Sequence, residues 1–181
     1  MSQLNYNIYL MLEKKSNHIR GLAKSLGTNQ TTISRRMKEL EEQNIVDYSF
    51  EGKNKVYYIK DNLEAKQYGR VIENYRLLLI IQEQPRLRRI IEKIHSNKDI
   101  KMAILFGSYA NKTQHKNSDI DIYIETKDNS IKKELELMDT KLSIKIGDFY
   151  KETALAKEIQ KNRIILKGID RYYEIIYKEN V

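Results

Sequence analysis

The chain has no cysteine, one proline and no apolar run near the length of a membrane span. Each absence excludes something. Without cysteine there are no disulfides, no thiolate zinc sites and no cysteine nucleophile; this composition fits a reducing compartment. A single proline in 181 residues, 32% of them charged, predicts a helix-rich, compact protein. A spanning helix needs about 20 consecutive apolar residues, and none is present, so no membrane association is expected. The first residues, MSQLNYNIYLMLEKK, lack the layout of a signal peptide. A soluble cytoplasmic protein is the expectation. What the chain does have is positive charge, +8 in all. The excess is N-terminal and central: residues 1–60 hold ten Lys/Arg against six Asp/Glu and 61–98 eight against five, whereas 99–181 hold fifteen against fourteen. Such a balance is compatible with nucleic acid as a partner.

Leu4, Ile8, Met11 and Leu12 recur at helical spacing. SNHIRGLAKSLG predicts a second helix, with Ser16 as N-cap and Gly27 as stop. TTISRRMKELEEQ predicts a third, whose apolar stripe is Ile33, Met37 and Leu40. Its opposite face presents Thr31, Arg35 and Lys38, with Gln30 and Ser34 beside them. Tyr48, Phe50, Val56 and Tyr58 then mark two short strands around the turn EGKN. Helix, helix, turn, helix, hairpin is the order of a winged helix-turn-helix. LAKSLGTNQTTISRRMKELEEQNIV resembles the second and third helices of many winged-helix regulators. The resemblance implies DNA as partner, with Gln30, Thr31, Ser34, Arg35 and Lys38 in the groove. Lys53 and Lys55 on the hairpin would meet phosphates.

Residues 61–98 read as a helical connector, broken at Pro85 into a long helix and a shorter one. Val71, Ile72, Tyr75, Leu78, Leu79 and Ile81 form a broad apolar face that needs a partner, either the first domain or a second chain. DNA readers of this kind pair to match two half-sites, so a homodimer is expected.

Residues 99–181 carry the motif with chemistry in it. DIKMAILFGS reads as a central strand with both faces apolar, ending in Gly107-Ser108. SDIDIYIE reads as another strand. Residues two apart face one side, so Asp119 and Asp121 point together, with Ile120, Ile122 and Ile124 opposite. Adjacent carboxylates repel, and a divalent cation relieves the repulsion. All-oxygen ligands with a phosphate-bearing substrate favour Mg2+. A glycine lets backbone approach phosphate closely, and Ser108 at the following helix start adds a donor.

GSYANKTQHKNSDID resembles the signature of the polymerase-β-type nucleotidyltransferases. The ten-residue spacing is like that of the minimal members that act as antitoxins beside HEPN-domain toxins. The predicted order after it also agrees: helix 130–138, strand 142–147, helix 150–160, strand 163–168 and a closing helix. The implied fold class is α+β: a winged helix-turn-helix over 1–60, the connector, and a mixed sheet flanked by helices over 99–181. The resemblance implies an NTP as substrate or ligand, Mg2+ as cofactor and a HEPN-type toxin as partner. Gly107 and Ser108 would hold nucleotide phosphate, and Asp119 and Asp121 the metal. Active members add a third carboxylate from a neighbouring strand, here KLSIKIGDF. Aligning Ile144 and Ile146 with the family pattern puts Lys145 in that place, with Ser143 the second choice; Asp148 would need a bulge at Gly147. A lysine there would pair with phosphate, favouring binding over turnover, or else extend into solvent. Glu125 shares the aspartates' face, and His115 lies in the loop between the two halves of the motif.

Overall fold

The computed structural model describes residues 2–177. It divides into two compact units, Met1–Ile72 and Glu73–Val181.

The first unit begins with α1 (Gln3–Lys14), started by the Ser2 hydroxyl, which accepts from the Asn5 amide. Its apolar positions Ile8 and Leu12 are buried. The predicted cap at Ser16 is not formed. Asn17–His18 instead make a two-residue strand, β1, and α2 (Ile19–Ser25) starts one residue later. Pairing of Asn17 with Tyr57 and His18 with Val56 takes these residues into a sheet. Backbone groups that can join a ladder do so in preference to staying orphaned at a helix end. Next comes α3 (Gln30–Glu42), capped by the Asn29 side chain at 2.7 Å from the Thr32 amide. Its stripe of Ile33, Met37 and Leu40 is fully buried. The hairpin is β2 (Val46–Glu51) and β3 (Asn54–Ile59), turning on Gly52 at φ +60°. Tyr48 pairs with Tyr57, and Tyr57, not Tyr58, is the buried tyrosine of β3. The three strands lie in the order β1-β3-β2.

Helix α4 (Leu63–Glu83) carries the division between the units at 72/73. Its apolar residues do not share one face: Ile72 and Ile80 are buried, while Val71 and Leu78 are exposed. After Pro85 comes α5 (Leu87–Ser96), whose Leu87, Ile90, Ile91 and Ile94 are all buried in the core of the second unit.

That core is built on a four-stranded sheet. Its strands are β4 (Met102–Phe106), β5 (Ile120–Glu125), β6 (Leu142–Ile146) and β7 (Ile164–Lys167), in the order β6-β5-β4-β7. β4 runs antiparallel to both its neighbours, and β5 runs parallel to β6. All five residues of β4 are buried, as its doubly apolar pattern requires. Between the strands lie α6 (Gly107–Asn111), α7 (Ser130–Met138) and α8 (Ala154–Lys161), and α9 (Ile169–Tyr177) closes the described chain. One face of the sheet gives Leu105, Ile120, Ile122, Ile124 and Ile144 to a core with α5 and α7. The other gives Met102, Ile104, Phe106, Tyr123 and Ile165 to a core with α8, α9 and Phe149. Alternation along β5 thus serves two cores at once, and Asp121 lies on the Tyr123 side, with Asp119 just before the strand.

Candidate active site

Strand β4 ends where the motif begins. Phe106, its last residue, pairs across the ladder with Asp121. The next residue, Gly107, takes φ +67°. A Cβ built there would lie 2.5 Å from Asp121 Oδ2. Two constraints therefore demand glycine: a left-handed backbone and a carboxylate pressed against its Cα. The two halves of GSYANKTQHKNSDID are in direct contact. Ser108 follows in the first turn of α6, half-buried.

The intervening loop is tied at several points. The Thr113 amide donates to the Ser108 carbonyl at 3.0 Å. Ser118 is buried, and its hydroxyl accepts from the His115 amide at 2.9 Å. The Ser118 amide donates back to the His115 carbonyl, also at 2.9 Å. His115 Nδ1 accepts from the Asn117 amide at 3.2 Å, so the exposed imidazole shapes the loop. The Lys141 ammonium donates to the Lys116 carbonyl. These bonds deliver Asp119 to the start of β5.

Asp119 is exposed and Asp121 half-buried. Among the described residues neither carboxylate is held by a hydrogen bond or an ion pair, whereas other carboxylates nearby are. Two unneutralised acids two residues apart, one at the start of β5 and one just before it, repel, and a divalent cation suits them.

The neighbouring strand brings no third acid beside them. The parallel register aligns Asp121 with Ser143 and Tyr123 with Lys145. Apolar pairing sets that register, Ile122 facing Ile144 and Ile124 facing Ile146. Ser143 therefore stands level with Asp121, while Lys145, the first choice from the family pattern, lies two pairs further along, exposed. No bulge brings Asp148 back into the ladder: β6 ends at Ile146, and the Gly147 amide still donates to the Ile124 carbonyl at 3.3 Å. Asp148 is exposed, and its charge acts on Tyr123 and Arg171.

Glu125 is committed elsewhere. It is 3% exposed and is gripped by Arg171 of α9, Nε at 3.1 Å and Nη2 at 2.7 Å. This bidentate pair raises the Arg171 guanidinium's affinity for its proton further. Nothing local in the sequence signals the pairing, because the partners are far apart in the chain. Tyr123 donates its hydroxyl to the Gly147 carbonyl at 2.6 Å. Burial, then the negative charges of Glu125, Asp148 and Tyr150, push that phenol's pKa far above its ordinary value.

Among the described residues no group of three or more His, Asp or Glu side chains could hold a metal ion. The donor set near Gly107 is two carboxylates and a hydroxyl. It fits one hard cation that shares its remaining positions with water and substrate phosphate.

In the first unit, Gln30, Thr31, Ser34, Arg35 and Lys38 are all exposed on the side of α3 away from its buried stripe. Lys38 Nζ lies 3.8 Å from Glu42. Lys53 and Lys55 are exposed on the hairpin, and Lys55 Nζ sits 3.6 Å above the Tyr48 ring. Phe50, 65% exposed beside them, packs edge-on against Tyr48. No described helix is long and apolar enough to cross a membrane.

Residues 88–172 match the family model "Polymerase beta, Nucleotidyltransferase". The match runs from α5 into α9 and takes in all four strands of the sheet and both halves of the motif. No curated protein matches the chain. Over these residues the second unit is thus similar to nucleotidyltransferases of the polymerase-β type.

Proposed function

We propose that this chain is a DNA-binding protein whose nucleotidyltransferase domain transfers a nucleoside monophosphate from an NTP to a hydroxyl of a protein or small molecule. The observation that carries the reading is the unpaired Asp119–Asp121 face, closed against Gly107 at 2.5 Å from a would-be Cβ. In the reaction the acceptor oxygen bonds to the α-phosphorus, the bond to the β-phosphate oxygen breaks, pyrophosphate leaves, and the hydroxyl proton passes to solvent. Gly107 and Ser108 hold phosphate. Asp119 and Asp121 would hold Mg2+, which when bound would neutralise charge on the triphosphate. Lys145, exposed at the same sheet face, is a candidate phosphate contact. The test is label transfer from each of four radiolabelled NTPs with Mg2+. Asp121→Asn should abolish transfer. Absence of transfer with all four, while nucleotide binding persists, would sink the enzymatic reading.

The first unit supplies the DNA contacts in this reading. A helix with short polar and basic side chains on its exposed face, followed by a basic hairpin, is the layout of a winged helix-turn-helix. An antitoxin role beside a HEPN-domain toxin, as a homodimer, is the setting suggested by the motif spacing.

A second reading is favoured by Ser143, which offers a hydroxyl where an active site would place an acid. The domain then senses nucleotide and regulates DNA binding without turnover. Equal DNA affinity with and without nucleotide would count against it.

A further inference from the structure

We infer that Ser143 makes this a single-ion site: the domain takes one divalent cation with its nucleotide, and Ser143 is the residue that excludes a second. The inference rests on the nucleotide-site reading above.

Two-ion phosphoryl-transfer sites hold their cations about 3.5–4 Å apart, so each ion needs oxygen ligands within its own reach. Mg2+ requires near-octahedral oxygen coordination and sheds water reluctantly. Here the only strand that can face Asp121 from across the sheet is β6, since β4 on the other side ends in Phe106 and Gly107. Neighbouring strands lie about 4.8 Å apart, so the residue level with Asp121 on β6 is within reach of an ion that Asp121 holds. That residue is Ser143. Its hydroxyl is neutral and balances none of a second ion's charge. The two aspartates carry the charge of one divalent cation and no more.

Among the described residues no other acid on this face fills the gap. Glu125 is buried and gripped bidentately by Arg171. Asp148 lies past the end of β6, where its charge falls on Tyr123 and Arg171. Lys145, the next residue of β6 on this face, is level with Tyr123 and brings positive charge. The register therefore makes a discriminating claim: an acid at 143 completes a second site, and an acid at 145 does not.

The test counts Mn2+ bound to the full chain in the presence of a non-hydrolysable NTP analogue, by the loss of the free-ion electron paramagnetic resonance signal. The expected counts are one for the wild type, two for Ser143→Asp and one for Lys145→Asp. Two ions on the wild type, or a second ion on Lys145→Asp but not on Ser143→Asp, would overturn the inference. Ser143→Asp places a third carboxylate beside Asp121 and can itself disturb folding, so melting is followed alongside, with the neutral Ser143→Asn as reference. Mn2+ alone should raise the melting temperature of Ser143→Asp more than that of Ser143→Asn; an equal rise would count against the inference. A wild type that binds neither analogue nor Mn2+ sinks the nucleotide-site reading, and this inference with it. Two ions on the wild type sink the inference alone.

Discussion

At the scale of single residues, the site depends most on Gly107. Its φ of +67° disfavours any Cβ, and a Cβ would meet Asp121 Oδ2 at 2.5 Å. Gly107→Ala should cost about 1–3 kcal/mol of stability from backbone strain and should also weaken nucleotide binding by displacing Asp121. Melting curves and nucleotide titration check both effects. A variant that melts and binds like the wild type would remove the contact from the site's design. Tyr123 makes a second prediction. Its folded pKa is raised above the unfolded value of about 10, by burial first and then by nearby negative charge. A raised pKa contributes stability that is complete below the unfolded value and is lost as pH rises towards the folded one. The urea midpoint of the wild type should therefore fall above about pH 10 more steeply than that of Tyr123→Phe. At neutral pH the phenylalanine variant should lose about 1 kcal/mol, for the missing bond to the Gly147 carbonyl.

At the scale of elements, α9 is fastened to β5 by Arg171 and Glu125. Removing the guanidinium leaves a carboxylate that is 3% exposed without its partner. Such losses typically cost about 3–5 kcal/mol, but the Arg171 side chain is 42% exposed. Solvent therefore reduces the expected loss for Arg171→Ala to about 2 kcal/mol. Combining it with Glu125→Gln should recover part of that loss, because the buried charge is then gone. Urea unfolding of the single and double variants measures it; a double variant worse than the sum of its parts would refute the pairing. The hairpin and α3 give a different test. If Lys53 meets phosphate, Lys53→Ala should lower the slope of log affinity against log salt by about one and weaken all DNA sequences alike. Arg35→Ala on the exposed face of α3 should instead relax sequence preference. An unchanged salt slope would take Lys53 off the backbone.

At the scale of the whole molecule, two units divide the chain at 72/73 and share the net charge equally. The first sixty residues hold ten Lys/Arg against six Asp/Glu, while residues 99–181 are nearly balanced. Counted by unit, residues 1–72 hold twelve Lys/Arg against eight Asp/Glu and residues 73–181 hold twenty-one against seventeen, so each unit carries a net +4. Nucleotide with Mg2+ should stabilise Glu73–Val181 by about 2.7 kcal/mol at a hundred times its dissociation constant. Calorimetry should show that shift in the transition of that unit. Under the sensing reading, nucleotide also changes DNA affinity, and DNA changes nucleotide affinity by the same factor. Titrating each ligand in the presence of the other measures both factors, and unequal factors would mean that the two readouts do not report one coupled equilibrium.

Local physics wrote much of this protein into its sequence. Period-two spacing predicted three isoleucines on one face of β5, and Ile120, Ile122 and Ile124 do share one core, with Asp121 on the alternate positions. The doubly apolar run of β4 identified a central strand, and Gly107 marked its turn. Each of these follows from backbone geometry within a few residues, so one segment suffices to state it. The tertiary structure decided what local geometry leaves free. Parallel strands can slide in steps that keep the same face buried, and packing of Ile122 on Ile144 chose the step that sets Ser143, not Lys145, beside Asp121. Arg171 reached Glu125 from a distant helix. Asn17 and His18 left the expected helix start because β3 offered their backbone a ladder. The aspartate pair was legible because its members are two residues apart, Asp121 in β5 and Asp119 just before it; the residues that surround it were not, because each belongs to a different part of the chain.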